Sequence, residues 1–231
     1  MGAASSADGP GRRPLIGVVA GEVSGDYLGA GLVRALRARL PGARFVGIGG
    51  TGMAAEGVEC WQSIDALSVM GLTEVLQHLP RLLRLRRDLV RQLLALRPDL
   101  VVGIDAPDFN LGLERRLRQR GIVTAHYVSP SVWAWREGRV RGIRRSTDLV
   151  LGILPFEEAF YRRHGVPVRY VGHPMADEIP LEPPACDPTP TLALLPGSRR
   201  SEVEALGPVF LRTAVWLQER VPGLRIRIPC A

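Results

Sequence analysis

The sequence predicts a doubly wound parallel α/β sheet followed by the opening of a second α/β domain. Three observations carry this. Short, β-rich apolar runs alternate with helical patterns between residues 14 and 176, the rhythm of strand-helix-strand units that build a parallel sheet. One run, Leu100–Ile104, is apolar throughout, as a parallel strand covered on both faces is. Then Pro180, Pro183, Pro184, Pro188 and Pro190 crowd residues 177–190, which no helix or central strand tolerates. Beyond that linker a new strand-helix-strand pattern starts.

The elements follow in order. Residues 1–13 read as a disordered start. Their first six fit a myristoylation pattern, which a run of small residues also fits by chance. The apolar run at 15–21 follows Arg12 and Arg13 as a signal peptide would, but Glu22 ends it and no cleavage pattern follows, so Leu15–Ala20 is a buried first strand. Residues 27–40 are helical up to Pro41-Gly42, and 44–48 form the second strand, closed by Gly49-Gly50. Leu100–Ile104, 123–127, 149–154 and 168–171 continue the strands, with helices at 140–145 and 156–163 among those between them. Residues 191–195 and 224–228 are strands around a helix at 202–220. A unit of that size opens a domain, 191–231, without closing a core.

Composition narrows the function. The hydrophobic fraction of 46% among 231 residues excludes wholesale disorder. The formal charge is +7, and all 30 basic residues are arginine, since the chain has no lysine. Arginine's planar fork suits phosphate, although a G- and C-rich genome produces the same bias. Cys60, Cys186 and Cys230 show no metal-type spacing and fit a reducing compartment. No apolar run approaches the ~20 residues that span a bilayer. No motif supports nucleic-acid binding.

Several segments could carry chemistry. Directly after the first strand come Glu22, Ser24 and Asp26 between Gly21 and Gly25. Strand C-termini are where such sheets bind ligands, and Ser and Asp are also good helix caps; both readings stand. At the end of the buried strand lie Asp105, Asp108 and Asn110. A carboxylate in that half-dry position can serve as general base, and Asp105 is the candidate; Asp108 fits a cap. His126, Ser129, Trp133 and Trp135 follow the next strand and have the makings of an amphipathic pocket; a core histidine at 126 and a tryptophan at 135 that only packs on the sheet are the alternatives. Ser198, Arg199 and Glu202 sit at a turn feeding a helix, the ingredients of a diphosphate site, with capping by Glu202 the alternative. At 81–97, Leu82, Leu85, Leu89, Leu93 and Leu96 make one stripe and Arg84, Arg87 and Arg91 lie opposite; Val69, Met70, Leu72, Val75 and Leu76 precede them. Such a helix either faces the core with a solvated basic side or binds anionic lipid.

Together these motifs resemble the bacterial lipid-A-disaccharide synthase family. The matching segments are residues 20–26, 103–110, 126–135, 172–177 and 194–199, and the run Tyr127-Val128-Ser129-Pro130-Ser131-Val132-Trp133-Ala134-Trp135 is the most specific of them. The resemblance implies a two-domain glycosyltransferase of the GT-B type, with residues 14–176 a Rossmann-like domain that binds the acceptor and the second α/β domain incomplete. It implies inverting transfer from UDP-2,3-diacylglucosamine to 2,3-diacylglucosamine 1-phosphate (lipid X), giving a β-1,6-linked disaccharide 1-phosphate and UDP. Asp105 would be the base and Arg199 would stabilise the departing UDP. Glu22, Ser24, Asp26, Asn110, His126, Ser129, Trp133, Ser198 and Glu202 would bind substrates. No metal or other cofactor is implied. The stretch 67–97 would then dock on an anionic membrane and admit acyl chains, placing the protein peripherally at the cytoplasmic face of the inner membrane, with a homo-oligomer compatible.

Two complete domains of this type need about 350–400 residues. The 231-residue chain is therefore expected to lack most of the nucleotide-sugar site and to have little transferase activity alone. The competing readings are another GT-B-like enzyme of UDP-sugars, such as a peptidoglycan GlcNAc transferase or a UDP-GlcNAc epimerase, and a non-catalytic lipid-binding remnant.

Overall fold

The structure, a computed structural model, describes residues 13–67, 72–135, 137–182, 188–197 and 200–229. The expected disordered start falls almost entirely outside them. The chain divides into two units, Met1–Glu178 and Ile179–Ala231.

The first unit alternates strand and helix: β1 (Leu15–Ala20), α1 (Val23–Arg39), β2 (Arg44–Gly49), α2 (Thr51–Ala55), β3 (Val58–Ser63), α3 (Leu72–Leu96), β4 (Leu100–Ile104), α4 (Pro107–Arg118), β5 (Thr124–Tyr127), α5 (Val132–Trp135), α6 (Val140–Ser146), β6 (Leu149–Gly152), α7 (Pro155–Arg163), β7 (Val168–Tyr170) and α8 (Met175–Glu178). The seven strands form one parallel sheet in the order β3-β2-β1-β4-β5-β6-β7. Strand order reverses between β1 and β4, and the crevice beyond their C-termini is where doubly wound sheets bind ligands.

Each face carries a core. Ile16, Val18 and Ala20 of β1 pack with Leu28 and Val33 of α1 on one side. Val19, Val46, Leu89, Leu93 and Leu113 fill the other, under α3 and α4. The leucine stripe of α3 is thus largely spent on the sheet: Leu89 and Leu93 are buried and Leu96 is exposed. Each fully buried side chain of this size contributes about 1.5–3 kcal/mol. A third cluster, around Tyr161, Phe160 and Ile143, closes the β6–β7 end.

The second unit holds β8 (Thr191–Ala193), α9 (Arg200–Gln218) and β9 (Arg225–Arg227), the two strands pairing in parallel. It buries little: Val203, Leu206, Val209 and Trp216 of α9 are all exposed. No described helix is long and apolar enough to cross a membrane.

Candidate functional site

The loops after β1 and β4 meet at the reversal point. Gly21 makes this approach feasible, because a Cβ there would lie 2.5 Å from Ala106 Cβ. Pro107 begins α4 and disfavours the right-handed helical region for the residue before it. Ala106 takes the left-handed region instead, at φ 42°, and Asp105 does the same at φ 52°. Neither is glycine, and left-handed backbone costs an ordinary residue about 1–2 kcal/mol. The Asp105 N–H donates to Tyr127 O at 2.8 Å. Its side chain is half-buried, and Oδ2 stands 3.5 Å from the exposed Ser24 Oγ, at the outer limit of a hydrogen bond. Glu22, exposed, occupies the N-cap position of α1 with no side-chain cap bond of its own. A half-solvated carboxylate beside a hydroxyl, at the lip of a sheet, can accept a proton from a bound alcohol.

Three of the expected binding residues face the other way. Asp26 is buried, and its carboxylate accepts the N–H groups of Gly50, Gly52 and Met53 at 2.7, 2.9 and 3.1 Å. It caps α2, across 24 residues of chain from the nearest of them. Asn110 is fully buried, and its Nδ2 reaches the carbonyls of Val19, Ile104 and Asp105. His126 is buried in the sheet, its Nδ1 hydrogen-bonded to Glu114 Oε1 at 2.7 Å. Burial pushes the Glu114 carboxyl up, and His126 opposes that shift. These three side chains are enclosed by the fold and are not placed to touch a ligand at the strand tips. The sequence also points to Asp108 as a cap, and the structure instead gives it an ion pair with Arg139.

Ser129 is buried as well, with Oγ 2.8 Å from the Tyr161 hydroxyl. Desolvation pushes that phenol up to about 12, against its hydrogen bond with Ser129, which lowers it. Trp133 is exposed, edge-on to Phe156 with ring centroids 4.7 Å apart. Phe156 was not singled out from the sequence; its one signal is that it follows a strand, as Trp133 does. Glu202 lies in the first turn of α9, close against Gly197. Ser198 and Arg199 lie outside the described residues, as do Val69 and Met70; Leu72, Val75 and Leu76 belong to α3, with their side chains outside the description.

Arg84, Arg87 and Arg91 of α3 face Arg116 and Arg120, at and beyond the end of α4, across a groove of about 850 Å³. Leu83, Val90 and Leu94 supply its apolar lining. The nearby acid Asp88 pairs with Arg91 at 2.6 Å and lies 3.9 Å from Arg87.

Known proteins add the family. A family model described as Lipid-A-disaccharide synthetase matches residues 16–231. The chain belongs to that family. It is 59% identical over 223 residues to the lipid-A-disaccharide synthase of Chromohalobacter salexigens, covering 93% of this chain and 58% of the relative. With the enzyme of Yersinia pestis it shares 58% over 227 residues, 94% of this chain and 58% of the relative. The chain thus spans a little under three fifths of these relatives. Among solved structures it is similar to a UDP-GlcNAc 2-epimerase from Neisseria meningitidis bound to UDP-GlcNAc (TM-score 0.60, 10% identity, 94% of this chain and 66% of that one). It is also similar to MurG of Acinetobacter baumannii (TM-score 0.50, 15% identity, 94% and 66%). At such identities these two likenesses concern the fold alone, and they agree with the parallel α/β architecture read from the sequence.

Proposed function

We propose that the first unit is the acceptor-binding half of an inverting glycosyltransferase that makes the lipid A disaccharide. The acceptor is lipid X and the donor UDP-2,3-diacylglucosamine. Asp105 takes the proton from the acceptor's 6-hydroxyl as that oxygen attacks C1 of the donor sugar. The C1–O bond to the diphosphate breaks, and UDP leaves with the electron pair. Arg199 offsets the charge gathering on the diphosphate. Glu22, Ser24 and Trp133 border the acceptor. The observation that supports this most is the Asp105 carboxylate at the reversal point, half-buried and beside Ser24, in a chain of this family.

The arginine groove and the exposed side of α3 suit an anionic membrane surface. Each arginine near such a surface adds about 1 kcal/mol. This would hold the protein peripherally at the leaflet where its lipid substrates reside, on the cytoplasmic side of the inner membrane.

The test is a transfer assay on the chain extended over the remaining length of its relatives. Asp105→Asn should lower kcat by about 10²–10⁴. A loss under about tenfold, ~1.4 kcal/mol, removes Asp105 as the base.

A further inference from the structure

Beneath the tip of β4 lies a group of polar side chains that contact with a substrate does not explain. Asn110 and Glu114 stand one turn apart on α4, and His126 lies on β5 in register with Gly103. All three are fully enclosed. The two N–H bonds of the Asn110 amide are spread over the carbonyl oxygens of Val19, Ile104 and Asp105, at 3.1, 3.2 and 2.9 Å. These oxygens belong to the ends of two neighbouring strands and to the candidate base. The Glu114–His126 pair fills the space directly over Gly103, where a Cβ would lie 2.1 Å from Glu114 Oε1 and 2.9 Å from Asn110 Cβ. Asn110 is therefore packed between the β4 backbone and the pair one turn further along its helix.

Apolar groups of similar shape commonly stabilise such an interior as well or better than a buried ionisable pair. General stability does not account for the set. The backbone above it does need an explanation. Asp105 and Ala106 both hold positive φ without being glycine, and such conformations persist only where the surroundings over-determine them. Asp105 is gripped from both sides: its N–H donates to Tyr127 O, and its carbonyl accepts from Asn110.

We propose that Asn110, backed by the buried Glu114–His126 pair, is the positioning residue that holds Asp105 in its left-handed conformation and so keeps the carboxylate beside Ser24 at the reversal point. The functional meaning rests on Asp105 being the base, but the claim concerns backbone geometry and is tested without turnover.

Positive φ brings the amide and Hα protons of one residue close together, which gives a strong intraresidue cross-peak in proton NOE spectra. The 231-residue chain is isotopically labelled and compared with Asn110→Asp and Asn110→Ala. In the parent chain the strong cross-peak is expected at Asp105, Ala106, Arg97 and Val128, the four non-glycine residues with positive φ among those described. In both variants it should weaken at Asp105 by about twofold or more, as the residue returns toward negative φ, and persist at Arg97 and Val128. Ser24→Ala should leave all four unchanged. A folded Asn110 variant that keeps the full cross-peak at Asp105 overturns the proposal. If neither variant gives a dispersed spectrum, Asn110 serves the fold at large, and the proposal is overturned too. Should the NMR result hold while Asp105→Asn retains transfer in the extended chain, the positioning stands and the base assignment falls.

Discussion

Removing His126 should turn a quiet buried pair into a pH-dependent weakness. In His126→Leu the Glu114 carboxyl loses its partner at a position where both side chains have 0% exposure. Breaking such a pair costs about 3–5 kcal/mol. The sign of the pH dependence follows from the direction of the shift. Burial already raises the Glu114 carboxyl above its ordinary 4.5, and His126 is the group that lowers it; without His126 the rise is larger. A carboxyl with a raised folded pKa contributes its full stability below the unfolded value and loses it as pH climbs through the folded one. Over that window the unfolded chain ionises and the folded chain does not, at about 1.4 kcal/mol per pH unit. From about pH 5 upward the variant should therefore lose progressively more stability than it has lost at the acid end. Urea unfolding followed by tryptophan fluorescence, in a Trp216→Phe background that silences the second unit, reads this directly. The double change His126→Leu with Glu114→Leu should recover most of the stability and flatten the pH profile. A single variant within about 1 kcal/mol of the parent at neutral pH, or equally destabilised at both ends of the range, would refute the reasoning.

Three further outcomes follow from the same geometry. Asp26→Ala strips the N-terminus of α2 of an acceptor for three N–H groups and should cost about 1–3 kcal/mol in the same unfolding assay; a variant as stable as the parent contradicts the capping role. Gly103→Ala places a methyl 2.1 Å from Glu114 Oε1 and should destabilise by about 3 kcal/mol or more, an effect that Glu114→Ala in the same chain should partly reverse. Arg116→Glu with Arg120→Glu should weaken binding to vesicles containing phosphatidylglycerol by about thirtyfold or more, from about 1 kcal/mol per arginine lost, and leave any binding to neutral vesicles unchanged; equal binding by parent and variant argues against the groove as a lipid face.

The sequence revealed what periodicity can reveal. Leu100–Ile104 emerged with the observed bounds because a strand buried on both faces is apolar at every position. β3 escaped notice: its sequence VECWQS mixes charge, aromatic and amide, and as an edge strand it is mostly half-buried or exposed. The tip of β4 was legible as a candidate site, since Asp105 ends an apolar run. What was not legible was which polar side chains turn inward. Asp26 and Asn110 sit beside Ser24 and Asp105 in the chain and look equally available, yet Asp26 is taken up by the N-terminus of α2, 24 residues on, and Asn110 by the carbonyls of β1 and of the β4 tip. Glu114 was missed altogether, because a glutamate in an arginine-rich helical stretch reads as a solvated face. Its only signal is the missing side chain at Gly103, eleven residues earlier, and that becomes readable only once β4 and α4 are stacked.

The measurement that bears most directly on the account is the rate of disaccharide formation from lipid X and UDP-2,3-diacylglucosamine by the extended chain, with and without Asp105→Asn. A drop of about a hundredfold or more in kcat, with the variant folded and lipid X still bound, is the predicted result. Turnover within about tenfold of the parent would mean that the proton leaves the acceptor by another route.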